Sequence, residues 1–173
     1  MTDSKKLILI AEDSRTQAMK LRFILEESNY EVIHGMDGKE ACQLLDKVKP
    51  DLIISDVMMP NMNGFEFSRY VKNHEKFKNI PLVLLTSLTD YTDVIRGLTC
   101  GANTFLTKPF DIDHLLNTIS NILDHKIFEP QIETILNEHQ VTERDKRPIQ
   151  FLISAYQTAI LQNTALEESK DKL

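Results

Sequence analysis

The segment Pro50-Asp51-Leu52-Ile53-Ile54-Ser55-Asp56-Val57-Met58-Met59-Pro60 is the key to the fold. Pro50-Asp51 introduces a short apolar run, and the run ends on a carboxylate, Asp56. A brief apolar run bounded by turn residues reads as a buried strand. Four similar runs flank it. Upstream, Leu7-Ile8-Leu9-Ile10-Ala11 has no polar alternation, which suits a strand buried on both faces. Tyr30-Glu31-Val32-Ile33 is a more polar candidate. Downstream lie Pro81-Leu82-Val83-Leu84-Leu85 and the short Thr104-Phe105-Leu106.

Between these runs the apolar residues follow helical spacing. Ala18, Leu21, Phe23, Ile24 and Leu25 lie mostly along one side of the first such stretch, and Ile112, Leu115, Leu116, Ile119, Ile122 and Leu123 mostly along one side of the last. Strand and helix alternate, which predicts right-handed crossovers and a parallel sheet covered by helices on both faces. Residues 1–123 are therefore expected to form an open, doubly wound α/β domain of five strands.

Ligands of such sheets bind beyond the carboxyl ends of the strands, and the polar residues of this chain gather there. Glu12 and Asp13 follow strand one, Asp56 ends strand three, Thr86 ends strand four and Lys108 follows strand five. Three carboxylates at one edge repel each other, and a hard divalent cation relieves that; oxygen ligands suit Mg²⁺. A cation, a lysine and a hydroxyl are the groups that stabilise a phosphoryl group in transfer, with an Asp among them as nucleophile.

These stretches, with Leu9-Ile10-Ala11-Glu12-Asp13, Asn63-Gly64, Leu85-Thr86-Ser87 and Gly101-Ala102-Asn103-Thr104-Phe105-Leu106-Thr107-Lys108-Pro109-Phe110, resemble the receiver domain of bacterial two-component response regulators, and chemotaxis regulators in particular. The resemblance spans nearly all of residues 6–123. It implies a flavodoxin-like sheet of order 2-1-3-4-5 and a phosphorylation switch without other enzymatic activity. Asp56 would be the phosphoacceptor. Asp13, Asp56 and the backbone carbonyl of Met58 would bind Mg²⁺, with Glu12 reaching the ion through water. Lys108 would pair with the phosphoryl oxygens, and its peptide bond to Pro109 would be cis. Thr86 would hydrogen-bond the new phosphoryl group and Phe105 would turn inward, signalling to the surface around strand five and the helix before it. The implied phosphodonor is a sensor histidine kinase or phosphotransfer protein.

Departures are few. Phe105 replaces a frequent tyrosine, and Ser87 replaces a frequent smaller alanine beside Asp56. Met58 and Leu88, two residues beyond Asp56 and Thr86, cannot orient an attacking water. His34, His74, His114, His125 and His139 form no ligand spacing and read as surface or loop residues. Gly35, Gly38 and Gly97 read as turn or packing residues, and Cys42 and Cys100 as small core filler in a reducing compartment.

The chain has 173 residues, 42% of them apolar, with a net charge of −6. No apolar run approaches the roughly 18 residues of a membrane span. The N-terminus lacks a signal-like apolar region, so a cytoplasmic protein without membrane contact is expected. The acidic balance argues against nucleic-acid binding.

Residues 124–173 form an extension with six Lys or Arg and nine Asp or Glu. Residues 130–142 read as a small β-hairpin, with an irregular helix as the alternative. From about Arg147 to Leu173, Ile149, Leu152, Tyr156, Ala159, Asn163, Leu166, Lys170 and Leu173 are spaced three and four apart, a heptad seam widened by Ile153 and Ile160. A parallel homodimer through this helix is expected, with a single helix folded back on the domain as the alternative. The segment also resembles linkers of multidomain signalling proteins.

Three other functions were weighed. A phosphohydrolase with an Asp nucleophile would need an acid two residues on, where Met58 stands. A DNA-binding output would need a basic recognition helix, and the extension is acidic. A degenerate scaffold would not keep Glu12, Asp13, Asp56, Thr86 and Lys108 together.

Overall fold

A computed structural model of the chain describes residues 5–87, 96, 97 and 99–124. The elements expected in the extension, namely the hairpin at 130–142, the helix at about 147–173 and the pairing through it, lie outside the described residues, as does Leu88. Five strands, β1 (Leu7–Ala11), β2 (Glu31–Gly35), β3 (Leu52–Asp56), β4 (Leu82–Thr86) and β5 (Thr104–Thr107), form one sheet of order β2-β1-β3-β4-β5. All neighbouring pairs are parallel. Four helices are described over their full length: α1 (Arg15–Glu27), α2 (Gly38–Leu45), α3 (Gly64–Asn73) and α4 (Ile112–Leu123).

Alternate residues of each strand serve opposite faces. Ile8, Ile10, Leu52, Ile54, Val83, Leu85 and Leu106 pack with Leu21 and Leu25 of α1 and Leu115 and Ile119 of α4. Leu9, Ala11, Ile53, Leu82 and Leu84 pack with α2 and α3 through Ala41, Leu45, Phe65, Phe67 and Val71. Burial on both faces explains why the central strands carry no polar alternation. Each helix starts on a side-chain cap: Ser14, Asp37, Asn63 and Asp111 accept from backbone N–H groups of the first turn, and Glu66 closes a capping box with Asn63. Together these caps fix where each helix leaves the sheet edge.

Three readings need correction. Phe23 does not join the inner side of α1: it is 65% exposed, because Leu21 and Leu25 already fill the sheet-facing stripe. Ile112 is likewise exposed at the first turn of α4, where the chain has just turned away from the sheet. His34 is not a loop residue. It lies half-buried in β2, and its Nε2 is 2.7 Å from the backbone oxygen of Glu12. Edge-strand position, not exposure, accounts for its polarity. Cys100 is buried and Cys42 half-buried; both are free thiols.

Candidate functional site

The site forms at the carboxyl edge, where β1, β3, β4 and β5 end side by side. Ala11 pairs with Ser55, Asp56 with Leu85, and Thr86 with Thr107, so the residues that follow are brought to one line. Two backbone bonds tie the ends together: Val57 N–H donates to Leu85 and Lys108 N–H donates to Thr86. The chain then doubles back after β3, with Gly64 N–H donating to Val57. Gly64 is required there, because a Cβ would collide with the Asp56 carbonyl oxygen.

One carboxylate oxygen from each of Glu12, Asp13 and Asp56 lies within 4.8 Å of the others. Asp13 is exposed, whereas Glu12 and Asp56 are buried, at 2% and 8% exposure. Asp56 Oδ1 accepts from its neighbour Val57 N–H at 2.7 Å, and its Oδ2 is 3.1 Å from Lys108 Nζ. The same ammonium donates to Glu12 Oε2 at 3.0 Å and to Gln17 Oε1 at 2.7 Å. Glu12 Oε1 accepts from Ser14 N–H. Desolvation raises the Glu12 pKa, the charge of Asp56 raises it further, and the Lys108 bond offsets part of this. One ammonium against three carboxylates leaves net negative charge in a half-enclosed site, and an all-oxygen donor set of this kind fits a hard divalent cation.

Every site residue read from the sequence at the strand ends is thus brought to one edge. Thr86 is buried beneath it, and Met58 follows Asp56 by two residues with its side chain 71% exposed. Phe105 is half-buried, and its ring lies against Gly97, where a Cβ would meet it at 2.5 Å. The Lys108–Pro109 peptide is cis. Gln17 was missed. It lies in the first turn of α1, directly after β1, and the folded sheet edge brings its amide to Lys108, 91 residues away in the chain.

An open sheet of order 2-1-3-4-5 with this acidic edge defines a class of phosphoacceptor switches. The chain belongs to the response regulator receiver domain family, which it matches over residues 8–120. It is 35% identical over 116 residues to the protein PilH of Pseudomonas aeruginosa, covering 67% of this chain and 96% of PilH. It is 33% identical over 138 residues to the DNA-binding transcriptional regulator RpaA of a Synechocystis strain, where it covers 78% of this chain but 57% of that longer protein. Among solved structures, the receiver domain of a signal transduction histidine kinase from Syntrophus aciditrophicus is 45% identical, with a TM-score of 0.68 over 72% of this chain and 95% of that one. The chain is therefore a phosphorylation-regulated response regulator receiver. Receiver domains are phosphoacceptors that bind Mg²⁺ at an acidic pocket and interact with histidine kinases or phosphotransfer proteins. Among the described residues no helix is long and apolar enough to cross a membrane.

Proposed function

We propose that Asp56 accepts a phosphoryl group from the phosphohistidine of a sensor kinase or phosphotransfer protein, and that the product signals through protein contacts. The observation that carries this is the convergence of two carboxylates, Glu12 and Asp13, and the Lys108 ammonium on Asp56. Asp13, Asp56 and the Met58 backbone carbonyl would hold Mg²⁺, with Glu12 behind them through water. When bound, the ion supplies charge neutralisation for the oxygens of the transferring group.

The chain's own residues do the rest. One oxygen of the Asp56 carboxylate attacks phosphorus in line with the departing imidazole nitrogen. The P–N bond breaks as the P–O bond forms. Lys108 already donates toward Asp56 Oδ2, so its charge is in place where the phosphoryl oxygens arrive, without reorganisation. Thr86 ends the adjacent strand and offers a hydroxyl to one of them. Its movement vacates space that Phe105 turns into, which alters the surface around β5. The chain performs no turnover on other molecules beyond this self-transfer and a slow loss of phosphate.

Residues 124–173 would act as an output extension in which the seam from Ile149 to Leu173 pairs two copies in parallel, a reading favoured by the heptad spacing and by Asn163 at one seam position. Light scattering of the full chain at rising concentration tests this, and a monomer throughout rejects it. For the site itself, Asp56→Asn should abolish labelling by acetyl phosphate in the presence of Mg²⁺. Labelling at the wild-type level would overturn the assignment.

A further inference from the structure

α1 carries two apolar stripes. The inner one faces the sheet through Ala18, Leu21 and Leu25. The outer one presents Met19 at 71% exposure and Phe23, one turn on, at 65%. Beside it runs a groove of about 210 Å³ between α1 and the edge strand β2, lined by Arg15, Ala18, Met19, Arg22, His34 and Met36. Singly exposed apolar side chains are ordinary, but Met19 and Phe23 one turn apart beside an apolar groove form a contiguous patch of the kind that marks an interaction surface. The rim is basic in an acidic protein. Among the described residues Arg15 makes no ion pair with a carboxylate, and Arg22 reaches Glu26 only at 3.5 Å while donating to the Val32 carbonyl.

We propose that the segment from Ile149 to Leu166 of this same chain packs along the outer stripe of α1, over Met19 and Phe23. Three observations point to this occupant. First, the segment needs cover: between Pro148 and Leu166 it contains no Asp, Glu, Lys or Arg, and its apolar residues exceed a single seam. Ile153 and Ile160 lie beside the seam rather than on it. Second, Glu167 and Glu168 directly follow this uncharged stretch and would supply acid to the arginine rim, with Lys170, Asp171 and Lys172 leaving residues 167–173 at a net charge of −1. Third, the chain leaves from the right place. α1 and α4 cover the same face of the sheet. Asp124, just past α4, lies near Tyr30, which follows the end of α1: after desolvation, the Asp124 charge is the second cause of a raised Tyr30 pKa.

Residues 125–148 tether the segment to that exit point. A flexible chain of that length spans roughly 27 Å, comparable to the roughly 20 Å length of α1, and holds its end at millimolar effective concentration. An untethered partner would have to outcompete that. The docking would engage Ile153 and Ile160, which the pairing proposed above through Ile149, Leu152, Tyr156, Ala159 and Leu166 does not use, so it adds to that pairing and is not the single folded-back helix that would replace it.

Two methionines provide the test. Met19 and Met58 are equally exposed, at 71% each, but Met58 lies beside Asp56 and outside the groove. Dilute peroxide oxidises accessible thioethers, and peptide mass mapping reads each site separately. In the full chain, without phosphodonor, Met19 should oxidise several-fold more slowly than Met58. In a chain ending at Leu123 the two rates should become equal; such a chain stands alone, since the matched region covers 96% of PilH. Phe23→Asp in the full chain should also restore equal rates. Equal rates in the wild-type full chain would overturn the proposal. Protection of Met19 that persists in the shortened chain would overturn it too, and would assign the stripe to a second copy. Labelling of Asp56 should stay unchanged throughout, which separates this proposal from the phosphoacceptor reading.

Discussion

Lys108 and Lys72 sit at opposite ends of the same sheet and are both drawn inward, but they keep different company. At the carboxyl end, Lys108 meets two carboxylates and the Gln17 amide. At the amino end, Lys72 donates to the Ile80 carbonyl at 2.7 Å, Asn103 Oδ1 at 2.8 Å and, more distantly, the Lys78 carbonyl. Asn103 Oδ1 also accepts from Leu82 N–H, so Lys72 pins the starts of β4 and β5. Asp51 does the same for β1, accepting from Leu7 N–H and Lys6. The amino end uses charge to satisfy backbone. The carboxyl end gathers like charges that do not satisfy one another, an arrangement that costs stability and suits ligand binding. Burial of a charge therefore does not mark function; an unrelieved excess of one sign does.

The sharpest way to break this contrast is metal binding. If the excess negative charge exists for a cation, the carboxylate with no bond to Lys108 should matter most. Asp13 is exposed and has that freedom, whereas Glu12 already accepts from Lys108 and Ser14. Asp13→Ala should weaken Mg²⁺ by at least about a hundredfold and Glu12→Gln by about tenfold, as direct and indirect ligands do. Titration calorimetry reads both. Equal losses would contradict the division of labour.

The amino end should respond to pH instead. Burial pushes the Lys72 pKa down from its ordinary 10.5 to about 8. Between those values the unfolded chain holds a proton that the folded chain has released, so stability rises with pH across that window and the cost of the buried charge is fully felt below pH 8. The bound is roughly 3 kcal/mol at about 1.4 kcal/mol per pH step, and partial solvent access reduces it to roughly 2 kcal/mol. The wild type minus Lys72→Met difference in urea unfolding should therefore rise by roughly 1 kcal/mol from pH 8 to 10, the part of that total that falls within this range. A flat difference would show that the ammonium is well solvated.

Much of the carboxyl end was legible in the sequence because its chemistry is written locally. Asp56 ends an uninterrupted apolar run, Glu12-Asp13 ends another, and Lys108-Pro109 follows the last strand. The amino end was not legible. Lys72 lies on an ordinary helical surface position, and its acceptors come from residues 78, 80 and 103, brought together only by the crossovers. Gln17 escaped for the same reason. Phe23 was misplaced because helical spacing shows that α1 has apolar stripes without showing which one faces the sheet: Met19 and Phe23 are spaced as regularly as Leu21 and Leu25. His34 was misjudged because a polar residue in an edge strand looks, in sequence, like a loop.

The smallest expected effect concerns how long the carboxyl end holds its product. Loss of phosphate needs a water placed opposite Asp56, and placement needs a polar side chain near the approach. Met58 stands two residues past Asp56 with an exposed thioether, a poor hydrogen-bond partner for water. The phosphorylated state should accordingly last minutes or more. Met58→Asn supplies an amide at the same place and should shorten that life by up to about tenfold, or roughly 1.4 kcal/mol of barrier. Met58→Leu removes the thioether without adding polarity and should leave the rate unchanged. Since Met58 would contribute only its backbone carbonyl to the ion, neither change should alter Mg²⁺ affinity. Quenched-sample phosphate release gives each rate. A wild-type lifetime of seconds, or equal acceleration by Asn and Leu, would show that water is positioned by some other group.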